Sequence, residues 1–469
     1  MWNHRLPAPS RRLLTALTLG ALTVGAIGTP AAAATTRMVD DDGRASPGRC
    51  DGNGMAAKKI QNAVAAASAG DTILVCPGTY REQVVIGPAK DRLTLRSAVH
   101  LKATIQSPGD LVKRLDATAV VLIRQGADQV TVQGFRLKHV AAVGSSVDPT
   151  GQVGGDPFGD CGINFGIQVD GTRARIVSNQ VRASGPGTLT DCGMAYGIGV
   201  GYNDGDGSDG DGASANVRFN SVRDPVLAGV VAGGYDTSMT AFRNVVRYHH
   251  TKAERPDRRA SPSASSRHPG FGRLPKVDFG GRIAGGRPSI EGEALGVAIF
   301  FGATGKLIGN TAESGPAAGP LASGGRPYLY AAIAAMEPRG GVIIKDNRAY
   351  RAFAGILAGA ATLSISGGPR DPMVVRGNLA VQNQYGIFVD PTVGGTVTGN
   401  RANSNVFGLV LGFGTSGNAV TNNRALNNLQ YDCGDQTGPD VGSIDNTWAD
   451  NVGFVSEPQG LCDQPFPNN

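Results

Sequence analysis

The stretch NDGDGSDGDG, residues 203–212, sets Asp204, Asp206, Asp209 and Asp211 at short intervals on a glycine-rich backbone. Hard carboxylate oxygens on a flexible loop suit calcium. Counted from Asp204, the sixth position is Asp209, where an EF-hand loop needs glycine, and no glutamate closes the segment. Calcium is thus the candidate metal, against a solvated acidic turn that binds nothing. Nothing else in the sequence requires a cofactor. His249 and His250 are adjacent, so along a strand they would face opposite ways and do not read as a metal pair. Carboxylates that hydrolyse a glycan must stand close together. Asp170 and Asp390 end the related stretches GIQVD and GIFVD, with Gln168 and Phe388 as the other outward residues. The equivalent stretches GIGVG and GLVLG offer Gly199, Gly201, Val410 and Gly412 at those positions. Neither aspartate gains an acidic neighbour, so no catalytic residue is assigned. Loops also carry active sites, and catalysis stays open on that ground.

These residues ride on a repeat. Asn378 is followed by Asn383 and Gly386, and Asn400 by Asn405 and Gly408, at the same offsets 22 residues on. The pattern continues to Asn423 with Asn428 and to Asn446 with Asn451. Backwards it reaches Asn347 with Gly355, then Asn310, Asn244, Asn220 and Asn179. A small apolar residue stands two places after most of these asparagines, from Val181 to Ala425. Fixed-period self-similarity signals a solenoid. Short alternating stretches separated by Gly or Asn, with no helical segment inside the repeat, make it a β solenoid of three strands per coil. Asparagine tolerates a left-handed turn, and amides stacked coil over coil can form a ladder. Leucine-rich and six-residue periods are both missing. The expected fold is all-β: a single-stranded right-handed parallel β-helix with an N-terminal capping helix. That cap is read in MAAKKIQNAVAAASAG, begun by Asn53, ended by Gly70, with Ala56, Ile60, Ala63, Val64 and Ala67 on one face. Trp448, two after Asn446, is expected to plug the far end.

DCGINFGIQV and DCGMAYGIGV align without a gap, 31 residues apart. Adjacent coils lie about 4.8 Å apart, a spacing that suits a disulfide between Cys161 and Cys192. Cys50 with Cys76 would then staple one end and Cys433 with Cys462 the other. Six cysteines and no C-x-x-C pair point to disulfides in an oxidising compartment rather than zinc or redox chemistry. Arg5, Arg11 and Arg12, the apolar run Leu13–Ile27 and TPAAAATT read as a signal peptide over residues 1–34, by a Sec or a twin-arginine route. Residues 35–469 then form one β-helix domain, with caps near 50–70 and 430–469 and an irregular insertion near 249–293. Three cations fall in the leader, so the formal charge of +6 becomes +3, too little to argue for nucleic acid. No transmembrane anchor follows, and the expected location is secreted, extracellular. The insertion, rich in Pro, Ser and Arg, is either disordered or functional, its guanidinium groups suited to an anionic polysaccharide.

The segment IQNAVAAASAGDTILVCPGTYREQVVI, residues 60–86, resembles the opening of secreted proteins of the pectin-lyase-like superfamily. The likeness continues through LTLRS and VTVQGFRL into the asparagine-marked coils and ends with NTWADNVG. It implies the right-handed parallel β-helix but leaves activity open, because lyases, hydrolases, esterases, epimerases and adhesins share these coils. KVDFGG and GGRPY faintly resemble pectin methylesterase motifs, which would make Asp278 the nucleophile and Arg326 its orienting partner. The glutamine segment of those enzymes is not recognisable. The sequence therefore leads to a β-helix whose lateral face binds an extended polysaccharide or cell-wall polymer. A polysaccharide lyase, hydrolase or esterase, or a structural or adhesive surface protein, are the alternatives. Oligomeric state is not legible.

Overall fold

The computed structural model describes residues 33–108, 117–140, 163–184, 196–201, 212–225, 227–249, 294–300, 302–315, 329–359, 372–390, 392–412, 415–437 and 446–463. Among them, strands join into three all-parallel sheets of 13, 12 and 11 strands. One coil shows how the chain winds. Val374–Arg376 lies in the first sheet, Leu379–Val381 in the third, Tyr385–Val389 in the second, and Thr396–Thr398 returns to the first. Each strand pairs with its equivalent one coil on, as Val375 with Val397 and Ala380 with Ala402. Repeated along the chain, this is the right-handed parallel β-helix, since such crossovers wind right-handed. The core lies inside the coils. The residues two after the asparagines, Val181 to Ala425, are buried there on the third sheet.

The amides at the sharp turn between first and third sheets form a continuous ladder. It runs from Asn179 through Asn220, Asn244, Asn310, Asn347, Asn378, Asn400 and Asn423 to Asn451. Asn400 is 1% exposed, yet every polar atom of its side chain is satisfied. Its Nδ2 donates to Asn423 Oδ1 and to Val375 O, both at 2.9 Å. Its Oδ1 accepts from the backbone N–H and the Nδ2 of Asn378, again at 2.9 Å. A shorter ladder joins Asn383, Asn405 and Asn428, and ends where Asn428 donates to the buried carboxylate of Asp432.

Three details correct the sequence reading. The left-handed residue is the one before each ladder asparagine: Gly377 (φ 65°), Gly399 (64°) and Asn422 (55°). The ladder asparagine itself must aim its amide inward, so its neighbour makes the turn. Next, the last rung is Asn451 rather than Asn446. Asn423 bonds Asn451, 28 residues on, because the final coil is longer, while Asn446 bonds Asn418 in a third, separate pair. Trp448 consequently sits in the first sheet beside Val420. It still packs on the end of the core, and its Nε1 donates to Asp435 at 2.8 Å.

The pinned glycine also has a cause. A Cβ on Gly386 would lie 2.6 Å from Asn405 Nδ2 and 2.7 Å from Gly408 O. The next coil's ladder amide occupies the space that a side chain would need.

The N-terminal helix is shorter than read, Ile60–Ala66 with Lys59 as its cap residue. Asn53 does not begin it, because the chain before the helix is engaged elsewhere. Ala57 bridges to Val39, with Asp40 N–H donating to Ala57 O, and Ala56 N–H donates to Gly43 O. The helix start is held instead by the Glu82 carboxylate, which accepts from Ile60 N–H at 2.8 Å and Gln61 N–H at 2.9 Å. Ile60, Ala63, Val64 and Ala67 are its buried face. Disulfides join Cys50 to Cys76 (Cα–Cα 5.5 Å) and Cys433 to Cys462 (6.1 Å). Cys161 and Cys192 lie outside the described residues. The 31-residue offset that suggested their pairing is the register observed, with Phe165 against Tyr196 and Gln168 against Gly199.

Candidate functional site: the outer face of the second sheet

A strand of a solenoid normally sends alternate side chains to core and solvent. The second sheet departs from this, being buried on both faces in most of its strands, such as Ala294–Phe300 and Tyr385–Val389. Its outward residues make a second apolar cluster, with Phe165, Tyr196, Val231, Ala298, Leu357, Phe388 and Val410 among them. Toward the C-terminal end this face becomes half-exposed and aromatic. Tyr330, Phe353, Tyr385, Phe407 and Tyr431 touch ring to ring on successive coils, with centroids 5.3, 5.4, 4.8 and 4.9 Å apart, the first and third pairs stacked and the other two tilted. From Tyr385 to Phe407 to Tyr431 the contacts follow from the register, which pairs these positions one strand spacing apart. Phe353 meets Tyr385 diagonally, because Tyr385 stands opposite Ala354. Tyr and Phe alternate, so the phenols fall on every second coil. Burial, reinforced by Tyr431, pushes the Tyr385 phenol up to about 12, so it stays neutral. Tyr431 is raised for the same first reason, and Gln436 donates to its hydroxyl at 3.2 Å.

The carboxylates of this face are far apart. Asp170 and Asp390 occupy the same end row of the sheet, as the pairings of Gly201, Gly233, Phe300, Met336 and Gly359 between them show. Six coil steps separate them, roughly 29 Å at the usual strand spacing. No glycosidase pair spans such a distance. Both side chains are otherwise engaged. A Cβ on Gly412 would meet Asp390 at 2.6 Å, so a glycine beside Asp390 leaves room for the carboxylate. Farther along, Asp435 is taken up by Trp448 and Thr437, and Asp432 by the end of the short ladder. Sequence reasoning placed the outward positions of these strands correctly and missed the aromatic ladder. Its signal was there: YLY, AFAG, YGIF, FGLV and YDCG put an aromatic at or near each strand start.

Asp204, Asp206, Asp209 and Asp211 lie outside the described residues, as do Asp278, Arg326 and residues 250–293 of the insertion. His249 is described: its N–H donates to Asp224 Oδ1 at 2.6 Å. Among the described residues no group of three or more His, Cys, Asp or Glu could hold a metal ion.

The profile of the family described as NosD, periplasmic copper-binding protein, matches residues 328–455. That segment carries the aromatic ladder. Solved structures with a similar course include an alginate lyase from Paenibacillus sp., at 12% identity over 78% of this chain and 94% of that one, TM-score 0.43. Another is an α-1,3-glucanase of Streptomyces thermodiastaticus, at 14% identity over 92% and 70%, TM-score 0.44. A third is the Dettilon tailspike protein, at 13% over 82% and 60%, TM-score 0.43. No curated protein matches the chain. The chain is a right-handed parallel β-helix. Its strand ladders carry that statement, and the likenesses say nothing of activity.

Copper can be tested against the matched segment directly. Copper takes imidazole, thiolate or thioether ligands. Residues 328–455 contain no histidine, and their single cysteine, Cys433, is in a disulfide. Met336 and Met373 are buried, 5% and 4% exposed, in different apolar clusters. The residues present in this segment do not fit copper.

Proposed function

We propose that the protein is an exported β-helix that binds an extended polysaccharide or cell-wall polymer along the outer face of its second sheet. The supporting observation is the ladder Tyr330–Phe353–Tyr385–Phe407–Tyr431. Its rings, half-buried except for the buried Tyr385, form an apolar strip with tyrosines recurring every second coil, about 9.6 Å. That recurrence is close to the disaccharide repeat of an extended β-linked glycan. A sugar chain laid along the solenoid axis meets the same contact at each repeat. The wide separation of Asp170 and Asp390 favours binding over hydrolysis on this face. No helix among the described residues is long and apolar enough to cross a membrane. The test is a panel of polysaccharides assayed for retention, new reducing ends and unsaturated uronide. Retention without product is expected. Product from any member moves the protein to the polysaccharide-active enzymes, and failure to retain every member leaves the structural or adhesive reading.

A further inference from the structure

The outer face of the third sheet carries a row of cations in register. Arg81 pairs with Gln106, Gln106 with Lys138, Lys138 with Arg182, Arg182 with Arg223, and Arg223 with Arg247. Five of these six consecutive coils thus present a positive charge at one position, over about 24 Å. The seventh coil places Glu313 there, and Glu313 accepts from Arg247 Nε at 2.5 Å and from Arg351 Nη2 at 3.3 Å. Arg247 is therefore neutralised. Arg81, Lys138 and Arg182 are exposed, and among the described residues no acid pairs with them or with half-buried Arg223. Arg223 Nε is shielded from solvent and has no acceptor. Asp224, next in sequence, is turned to the N–H of His249.

Like charges directly opposite one another across strands oppose folding. A stack of them that no carboxylate relieves is arranged for an anion supplied from outside. The next outward row adds Thr104, Arg136, Gln180 and Ser221, whose hydroxyl, amide and guanidinium groups suit sugar hydroxyls. We propose that the row Arg81–Lys138–Arg182–Arg223 is a second binding surface, for a linear polyanionic glycan whose carboxylates or sulfates recur along the solenoid axis. One cation per coil matches an extended chain bearing one anion per sugar, and guanidinium groups pair well with either anion. The net charge of the chain hides this surface, because the opposite charges lie elsewhere.

The surface is separate from the aromatic ladder, so variants on each face distinguish the two readings. The test is titration of the full chain with polygalacturonate, a sulfated glycan, a neutral glucan and duplex DNA at two salt concentrations. Lys138→Glu/Arg182→Glu is compared with Arg96→Glu on the first sheet. Binding of the charged glycans is expected, weakened at least about tenfold by the double reversal, with a flatter salt dependence. Arg96→Glu should leave it near wild type. Thermal unfolding of the double reversal should be unchanged or raised, because a like-charge row is relieved. Equal binding by wild type and double reversal, or no binding of either charged glycan at low salt, overturns the proposal. Preference for duplex DNA through the same residues overturns it as well.

Discussion

Asn400 shows what one residue does in this fold. Its amide is buried and makes four hydrogen bonds, three to the preceding coil and one to the next, so an alanine there strands groups on both sides. Asn400→Ala should cost about 1–3 kcal/mol in denaturant unfolding, and Asn405→Ala a similar amount. Asn403 lies between the ladders, half-buried, and accepts only the Leu426 N–H at 3.1 Å. Asn403→Ala should cost less than about 1 kcal/mol, so the three midpoints order as 400 and 405 well below 403. Gly386→Ala should cost about 1–3 kcal/mol, since its Cβ would collide with the Asn405 amide. A wild-type midpoint for that variant would show that the glycine is not held by close approach. The asparagines and the glycine were legible as a period. The final rung was not, because a longer last coil moved it to Asn451, and spacing alone cannot reveal an inserted stretch.

At the scale of elements, the N-terminal end is fastened by charge. Burial alone would raise the Asp71 carboxyl, but hydrogen bonds from Ser68 N–H, Thr35 N–H and Arg37 outweigh it and hold the group well below the usual carboxylate range. A depressed acid contributes stability above its unfolded pKa and loses it as pH falls through the folded one. Asp71→Asn should therefore lower stability at pH 7 and reduce the loss on acidification below about pH 4. His139 adds a separate window. Burial pushes it down to about 4. Because the folded state resists its proton, stability should fall as pH drops from 6.5 towards 4, by up to about 3 kcal/mol. His139→Gln should flatten unfolding midpoints in that window, and an unchanged slope would contradict the assignment. The apolar face of the capping helix could be read from its spacing, but not its start. Asn53 is a good cap in isolation, yet the bridge of Ala57 to Val39 draws that segment into the sheet's end. Glu82, which caps the helix from 22 residues away, belongs to no local motif.

For the whole molecule, parallel coils explain why weak sequence signals become strong surfaces. A single outward residue means little, but its recurrence at one strand spacing turns Tyr and Phe into a stacked strip on one face and Lys and Arg into a charged row on another. The far-ultraviolet circular dichroism should be dominated by β structure, with little helix beyond Ile60–Ala66. The coils and their register were legible because period and hydrophobic alternation are local. The candidate site was not, because it depends on which outward positions stack, and the notable aspartates proved to stand coils apart. The most direct measurement of the account is glycan affinity of Phe353→Leu/Phe407→Leu/Tyr431→Leu, which keeps apolar bulk on the half-exposed rungs while removing the rings. The glycan is the one retained best by the wild-type chain, and unfolding midpoints control for folding. The account predicts a folded variant whose affinity drops at least about tenfold, equivalent to some 1.4 kcal/mol. A folded variant that binds as tightly as wild type would contradict it.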